Sequence, residues 1–166
     1  GMFYTVGPFN WAKRGLGEIL VGLNFGVLMT LGAYYVQTQS LSWVPVIAAI
    51  PVSLLIAAVL YINEFPDYIA DKKVGKNTLV VRLGREKAAI LYALIMMGVY
   101  LALGVGVAVG VLPMATLLGL ITLPLTIRAI MYARKYHAHS FDLVPANALT
   151  VTTHLATGLL LTLGFI

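Results

Sequence analysis

Five apolar stretches, each close to the length of a membrane-spanning helix, constrain this chain more than any other feature. They run approximately over Leu16–Val36, Trp43–Ile62, Ala88–Leu112, Met114–Tyr132 and Leu143–Ile166. A helix needs about 20 residues to cross the hydrocarbon core of a bilayer. Because every backbone polar group in that core must be paired within its own segment, such stretches form helices. The sequence therefore predicts an all-α fold, a polytopic transmembrane bundle with about five spanning helices.

The composition agrees with a chain that has lipid as its solvent. Hydrophobic residues make up 60% of the 166 residues, charged residues make up 10%, and the mean hydropathy is +0.93. A soluble domain carries about 25% charged residues. A net charge of +5 suggests nucleic-acid binding, but the charges lie between apolar stretches rather than on one soluble face. We therefore expect the lipid bilayer as a partner, and no nucleic acid.

The charged residues cluster in three of the connecting segments. These segments are Lys13–Glu18, Asn63–Lys87 and Arg128–Asp142, whereas the connection Gln37–Ser40 carries no charge. Five helices threaded in order bring the three charged segments to one membrane face, with all eleven Lys and Arg residues and all six Asp and Glu residues. By the positive-inside rule this face is cytoplasmic. We expect a multi-pass protein of the cell inner membrane, with residues 1–166 forming one domain.

The acidic part of the longest connection has the spacing of a helix face. Asn63, Asp67 and Asp71 follow one another at intervals of four residues, which places them on one side of a helix with a drift of about 40° per step. Pro66 suits the first turn of a new helix. Magnesium is usually held by one or two carboxylates together with substrate phosphates, so we predict a Mg²⁺ site here, with Asp67 and Asp71 as catalytic residues. A solvated helix face fits the same spacing.

Basic residues surround this acidic face. They are Lys72, Lys73, Lys76 and Arg82. Such side chains neutralise phosphate oxygens. Carboxylates that suit a metal and basic side chains that suit a phosphate, within one connecting segment, indicate a site for a lipid diphosphate. The alternative for Lys72 and Lys73 is topological, because basic residues accumulate on the inner face of membrane proteins whatever their function.

Asn63–Gly84 resembles the second aspartate-rich motif of the UbiA superfamily of intramembrane prenyltransferases. Within it, Gly75–Gly84 looks most like the branch that prenylates 1,4-dihydroxy-2-naphthoate in menaquinone synthesis. Tyr4–Pro8 and Arg14–Glu18 look like that branch's loop before its fifth helix, and Pro145–Leu160 looks like its last helix. The resemblance covers almost the whole chain.

The resemblance implies a nine-helix fold with two aspartate-rich motifs that face each other on the cytoplasmic side. This chain is similar to the part from the end of the fourth helix onward, and the first motif has no counterpart in it. We therefore expect the chain to be the C-terminal part of a UbiA-type membrane domain, to be preceded by further sequence, and to be inactive alone.

The activity implied by the resemblance is transfer of a polyprenyl group from a prenyl diphosphate to an aromatic acceptor, with Mg²⁺-assisted ionisation of the diphosphate. Aromatic rings such as Phe65 or Tyr68 are candidates to shield the allylic cation. The acceptor of the most similar branch is 1,4-dihydroxy-2-naphthoate. The alternatives are 4-hydroxybenzoate, haem, chlorophyllide or an archaeal glycerol lipid as acceptor, and, less compatible with the absence of charge at mid-membrane, a transporter.

Other polar residues are secondary candidates. Some branches of the superfamily carry Tyr-xxx-Lys before the fifth helix, whereas here Tyr4 is followed at that spacing by Pro8, so Lys13 or Arg14 is expected to serve the diphosphate instead. Asn24 lies inside the first apolar stretch, where a polar residue marks either a functional site or a bond between helices.

Overall fold

A computed structural model describes residues 11–166, apart from the side chain of residue 12. The described chain is helical, and we number its helices in chain order. They are α1 (Gly17–Thr38), α2 (Trp43–Lys73), α3 (Leu79–Leu83), α4 (Arg85–Ala108), α5 (Met114–Tyr136) and α6 (Phe141–Gly164). All except the short α3 are long and apolar enough to cross a membrane. The all-α fold and the five spanning helices predicted from the sequence are confirmed.

Helix α2 is the centre of the bundle. It packs against α1, α4 and α6, while α5 packs against α4 and α6. The core between these helices includes fully buried side chains of Leu55, Tyr61, Phe65, Tyr92 and Met96. Helix α1 packs mainly on α2, and its outer face carries a row of exposed apolar side chains.

The contact between α1 and α2 depends on two glycines. A Cβ atom on Gly26 would lie 2.6 Å from Cβ and 2.7 Å from Cα of Ser53, and one on Gly22 would lie 2.9 Å from the Ser53 carbonyl oxygen. Gly22 and Gly26 are one helical turn apart, so both face α2. A small-xxx-small spacing of this kind lets two membrane helices approach closely.

We expect replacement of Gly26 by Ala to destabilise the chain. The added methyl group has no room against Ser53, and overpacking of this kind typically costs about 1–3 kcal/mol. Gly32 on the same helix has no atom within 4 Å of the position of an added Cβ, so Gly32→Ala is the matched control. Thermal unfolding of both variants in mild detergent measures the difference in their stability. Equal unfolding midpoints would show that α1 shifts to make room for the methyl group.

Helix α2 is longer than the sequence predicted. The apolar stretch was expected to end at Ile62, with a loop beyond it and a new helix starting at Pro66, but the helix runs on without a break to Lys73. Both expectations are wrong. Pro66 removes one backbone donor, whereas the neighbouring Phe65 is fully buried in the core. Packing of the helix on its neighbours thus continues past the apolar stretch that defined the prediction.

Hydrogen bonds to backbone carbonyls bring the predicted charged segments together. The amide of Asn77 donates to the carbonyl of Lys13 (3.0 Å), and the guanidinium of Arg85 donates to the carbonyl of Ala138 (2.9 Å). These bonds join the start of α1, the end of α2, the start of α4 and the connection between α5 and α6. We call this end of the bundle the charged end. The expectation that the three segments share one face is thereby confirmed.

Candidate functional site

The three predicted metal ligands lie on the last three turns of α2, at the charged end. Asn63 and Asp67 are exposed, whereas Asp71 is buried, with 8% of its surface accessible. Eight helical residues rotate a face by about 80° in all, so the third member of the series turns from the open side toward the protein. Carboxylates from one helix are thus presented in two different environments.

Asp71 is paired with Lys76. Lys76 Nζ lies 3.0 Å from Asp71 Oδ2, and the Lys76 backbone amide donates to the Asp71 carbonyl at 2.9 Å. Gly75 has a φ of +69°, a conformation in which a side chain is strained, and so permits the tight turn. Partial burial by itself lowers the pKa of Lys76, but the hydrogen bond and charge of Asp71, with the charges of Glu64 and Asp67, outweigh it and raise that pKa. Lys76, which is predicted to bind phosphate, therefore stays protonated and paired with Asp71.

The other predicted phosphate ligands on this segment are exposed. Lys72 and Lys73 end helix α2, and Arg82 lies on α3. The Lys72 ammonium lies 5.9 Å from the centroid of the Tyr68 ring. Cations near the C-terminus of a helix interact favourably with its dipole, and these three remain accessible to an anionic ligand.

The segment before α1 docks against α3. Arg82 donates through Nη1 to the carbonyl of Arg14 (3.4 Å), and Gly15 (φ +65°) packs so closely that a Cβ would lie 2.9 Å from the Asn77 carbonyl oxygen. The side chains of Lys13 and Arg14 are exposed. The backbone of Arg14 thus lies beside Arg82 and that of Lys13 beside Asn77, while their roles toward a diphosphate stay a prediction.

Tyr68 is held between cations. The Arg85 guanidinium carbon lies 4.8 Å from the Tyr68 ring centroid, and Arg85 also donates to the carbonyl of Phe65 at 3.3 Å. Phe65 itself is fully buried, edge-on to Tyr61 with centroids 5.8 Å apart, so Tyr68 is the more accessible of the two predicted aromatic shields. Sequence reasoning missed Arg85, because its contacts join residues that no periodic spacing relates.

Sequence reasoning also missed two buried carboxylates at the charged end. Glu18 is 3% exposed and Glu64 is 9% exposed, and the two carboxyl groups lie close enough to interact with each other. The sequence indicates both only as charges of the connecting segments, and nothing in their spacing indicates that they meet in the fold.

The remaining candidates lie elsewhere. Asn24 is exposed in the π-helical segment Leu23–Leu28 of α1, about two turns above the charged end. Tyr4 lies outside the described residues. A cavity of about 700 Å³ opens beside the end of α5, and none of the predicted site residues lines it. Its described lining consists of Arg128, Met131, Tyr132, Arg134, Lys135 and Tyr136.

The donor atoms at the end of α2 suit a hard cation. Asn63, Asp67 and Asp71 offer amide and carboxylate oxygens, and Mg²⁺ prefers a small number of carboxylates completed by phosphate oxygens and water. Within residues 11–166 no three His, Cys, Asp or Glu side chains come together as a metal-binding group. The oxygen donors of Asn63, Asp67 and Asp71 fit a hard cation that a phosphate ligand also helps to hold.

A bundle of five spanning helices with all its charges at one end defines a polytopic α-helical membrane protein. The profile of the UbiA prenyltransferase family matches residues 1–163, and the chain belongs to that family. The predicted resemblance is thereby confirmed.

Three curated relatives are similar over much of the chain. A 2-carboxy-1,4-naphthoquinone phytyltransferase of Synechocystis is 30% identical over 99% of this chain and 54% of its own length. A 1,4-dihydroxy-2-naphthoate octaprenyltransferase of Escherichia coli is 34% identical over 97% and 52% respectively. The protein of that name from Haemophilus influenzae is 44% identical over 64% and 35%. The chain thus spans at most about half the length of these relatives. No solved structure matches it significantly.

Proposed function

We propose that this chain forms part of an intramembrane enzyme that transfers a polyprenyl group from a prenyl diphosphate to 1,4-dihydroxy-2-naphthoate, with Mg²⁺ at the end of α2. The observation that carries the proposal is the arrangement of Asn63, Asp67 and Asp71 on one helix end among exposed cations. The family and the names of the relatives support the reaction class. Because the chain spans about half of those relatives, we propose that it is the C-terminal part of the enzyme.

The leaving diphosphate is the group that this site is suited to stabilise. Asn63, Asp67 and Asp71 would hold Mg²⁺, which would supply positive charge to the leaving diphosphate. Lys72, Lys73 and Arg82, with Lys13 and Arg14 beside them, neutralise the remaining oxygens. Charge grows on the diphosphate as the allylic C–O bond breaks and takes both electrons with it, so preorganised cations act mainly on the transition state.

We propose that the Tyr68 ring shields the allylic cation that this bond cleavage leaves behind. The cationic groups of Lys72 and Arg85 lie 5.9 Å and 4.8 Å from its ring centroid, and an aromatic face attracts positive charge within about 6 Å. The electron-rich acceptor ring then attacks the allylic cation and forms the new C–C bond. With 1,4-dihydroxy-2-naphthoate the prenyl group takes the place of a carboxylate, which leaves as carbon dioxide.

A transfer assay on the full-length enzyme tests the acceptor. Radiolabelled prenyl diphosphate is supplied with 1,4-dihydroxy-2-naphthoate or 4-hydroxybenzoate, and with haem or chlorophyllide in parallel. We expect labelled product mainly with 1,4-dihydroxy-2-naphthoate, accompanied by one carbon dioxide per turnover. Preference for another acceptor would move the chain to a different branch of the family, and no product with any of them would overturn the proposed reaction.

We also propose that the charged end faces the cytoplasm at the inner membrane, since all eleven Lys and Arg residues of the sequence lie in segments that meet there. The chain has no cysteine, so single cysteines at Lys73 and at Gln39 can be labelled without background. With a membrane-impermeant reagent we expect labelling from opposite sides of the membrane. Labelling of both positions from the same side would contradict the number of membrane crossings.

A further inference from the structure

A side-chain hydrogen bond connects the last helix to the predicted metal ligands. Asn147, in the second turn of α6, donates through Nδ2 to Oδ1 of Asn63 on α2 at 2.5 Å. Asn63 in turn donates through its own Nδ2 to the carbonyl oxygen of Val59 at 2.9 Å. Two amide side chains and a backbone carbonyl therefore form a row from α6 into α2.

The hydrogen bond to the Val59 carbonyl fixes the orientation of both amides in this row. A backbone carbonyl oxygen such as that of Val59 can accept a hydrogen bond but cannot donate one. Asn63 must therefore turn its NH₂ group toward Val59, which leaves Oδ1 pointing at Asn147. Asn147 must then present its own NH₂ group to that oxygen. The assignment of the two amides thus follows from hydrogen-bond chemistry.

The Asn147 side chain makes no other hydrogen bond in the described part of the chain. Its Oδ1 is buried and has no partner among residues 11–166. A buried carbonyl left without a donor is destabilising, so this side chain contributes little to the fold except through Asn63. Its distinctive contact is with the atom that the proposed site offers to a cation.

We propose that Asn147 is a positioning residue of the metal–diphosphate site and holds the Oδ1 atom of Asn63 in place for a divalent cation. This inference rests on the proposed function. A carbonyl-type oxygen that accepts one N–H bond keeps a second lone pair, so Asn63 can be bonded to Asn147 and still coordinate. The last helix of the bundle thereby shares in setting the geometry of a metal site whose proposed ligands all belong to α2.

Binding of Mn²⁺ in the presence of inorganic pyrophosphate tests this role without reference to turnover. The full-length enzyme is titrated in detergent, and free Mn²⁺ is followed by electron paramagnetic resonance. Loss of a residue that orients a metal ligand typically weakens metal binding about 10- to 100-fold, and we expect Asn147→Ala to weaken Mn²⁺ binding about tenfold. Thr152, an exposed residue of α6, provides the control variant Thr152→Ala, which we expect to bind as the parent does.

A second background shows whether Asn147 acts through Asn63. In an Asn63→Ala protein the target of the Asn147 amide is gone, so adding Asn147→Ala should change Mn²⁺ affinity by less than about twofold, the non-additivity of residues that act as a pair. Without metal, the thermal unfolding midpoint of the Asn147→Ala protein should equal that of the parent. A tenfold loss that persists in the Asn63→Ala background would overturn the proposed positioning role, as would a fall in the thermal midpoint that accounts for the loss.

The failure of this inference is distinguishable from the failure of the proposed function. Asp67→Asn removes a ligand that the proposed function requires, and should weaken Mn²⁺ binding whatever Asn147 does. If Asp67→Asn weakens binding and Asn147→Ala leaves it unchanged, the role of Asn147 is wrong and the metal site stands. If neither variant changes Mn²⁺ affinity, the proposed metal site at the end of α2 is wrong, and the role of Asn147 falls with it.

Discussion

Replacement of Asp67 by Asn in the full-length enzyme should lower prenyl transfer about a hundredfold or more and leave the protein folded. Asp67 is exposed, and within the described residues its side chain makes no ion pair, so the fold does not depend on its charge. A neutral amide cannot replace a carboxylate that holds a divalent cation without weakening the site. Loss of one preorganised electrostatic contact to the leaving group typically costs about 10²- to 10³-fold in rate.

Asp71→Asn should have the same effect on turnover with an added effect on stability. Asp71 is buried and accepts a hydrogen bond from Lys76 at 3.0 Å. The Asn side chain keeps an oxygen that can accept this bond, but the attraction between opposite charges is lost. We therefore expect a lower thermal midpoint for Asp71→Asn than for Asp67→Asn.

The matched control for both variants is Asp142→Asn. Asp142 is also an exposed carboxylate at the charged end, but it begins α6 and is not part of the row of predicted ligands. Turnover is measured at limiting and at saturating Mg²⁺, and Asp142→Asn should match the parent at both. Near-parental turnover of Asp67→Asn and Asp71→Asn at limiting Mg²⁺ would show that these carboxylates do not hold the metal.

The second large effect concerns the chain by itself. We expect the isolated 166 residues, given Mg²⁺, a prenyl diphosphate and 1,4-dihydroxy-2-naphthoate in detergent, to turn over at least about a hundredfold more slowly than the full-length enzyme. The family resemblance implies two facing sets of acidic residues, and this chain contains one of them. A diphosphate clamped from one side is weakly held, and the charge that develops on it is incompletely stabilised.

Helix α1 lies at the edge of the described bundle. It packs mainly on α2, and apolar side chains on its other faces, such as Phe25 (59% exposed) and Met29 (64% exposed), are available to contact lipid or a further helix. Turnover of the isolated chain comparable to that of the full-length enzyme would refute the need for a second acidic motif. Restoration of turnover when the preceding half is co-expressed as a separate chain would support it.

Several features of the candidate site could be predicted because they depend on local sequence. The spacing of Asn63, Asp67 and Asp71 is a helical spacing, and the helix is present. The prediction erred at Pro66, where a proline and the end of the apolar stretch suggested a break. The helix continues there because packing of residues such as Phe65 in the core outweighs one missing backbone hydrogen bond, and packing is invisible to a local pattern.

The sequence by itself determined that lipid surrounds this protein, that five helices span it and that the charges gather at one end. These features follow from hydrophobic length and helical period, which are properties of consecutive residues. Tertiary structure decided which charges are free and which are engaged. It turned Asp71 inward onto Lys76, buried Glu18 at the start of α1, set Arg85 on Tyr68 and joined Asn147 to Asn63. Most of these contacts join residues on different helices, so their distances are fixed by how the helices pack, and no spacing along the chain encodes that packing.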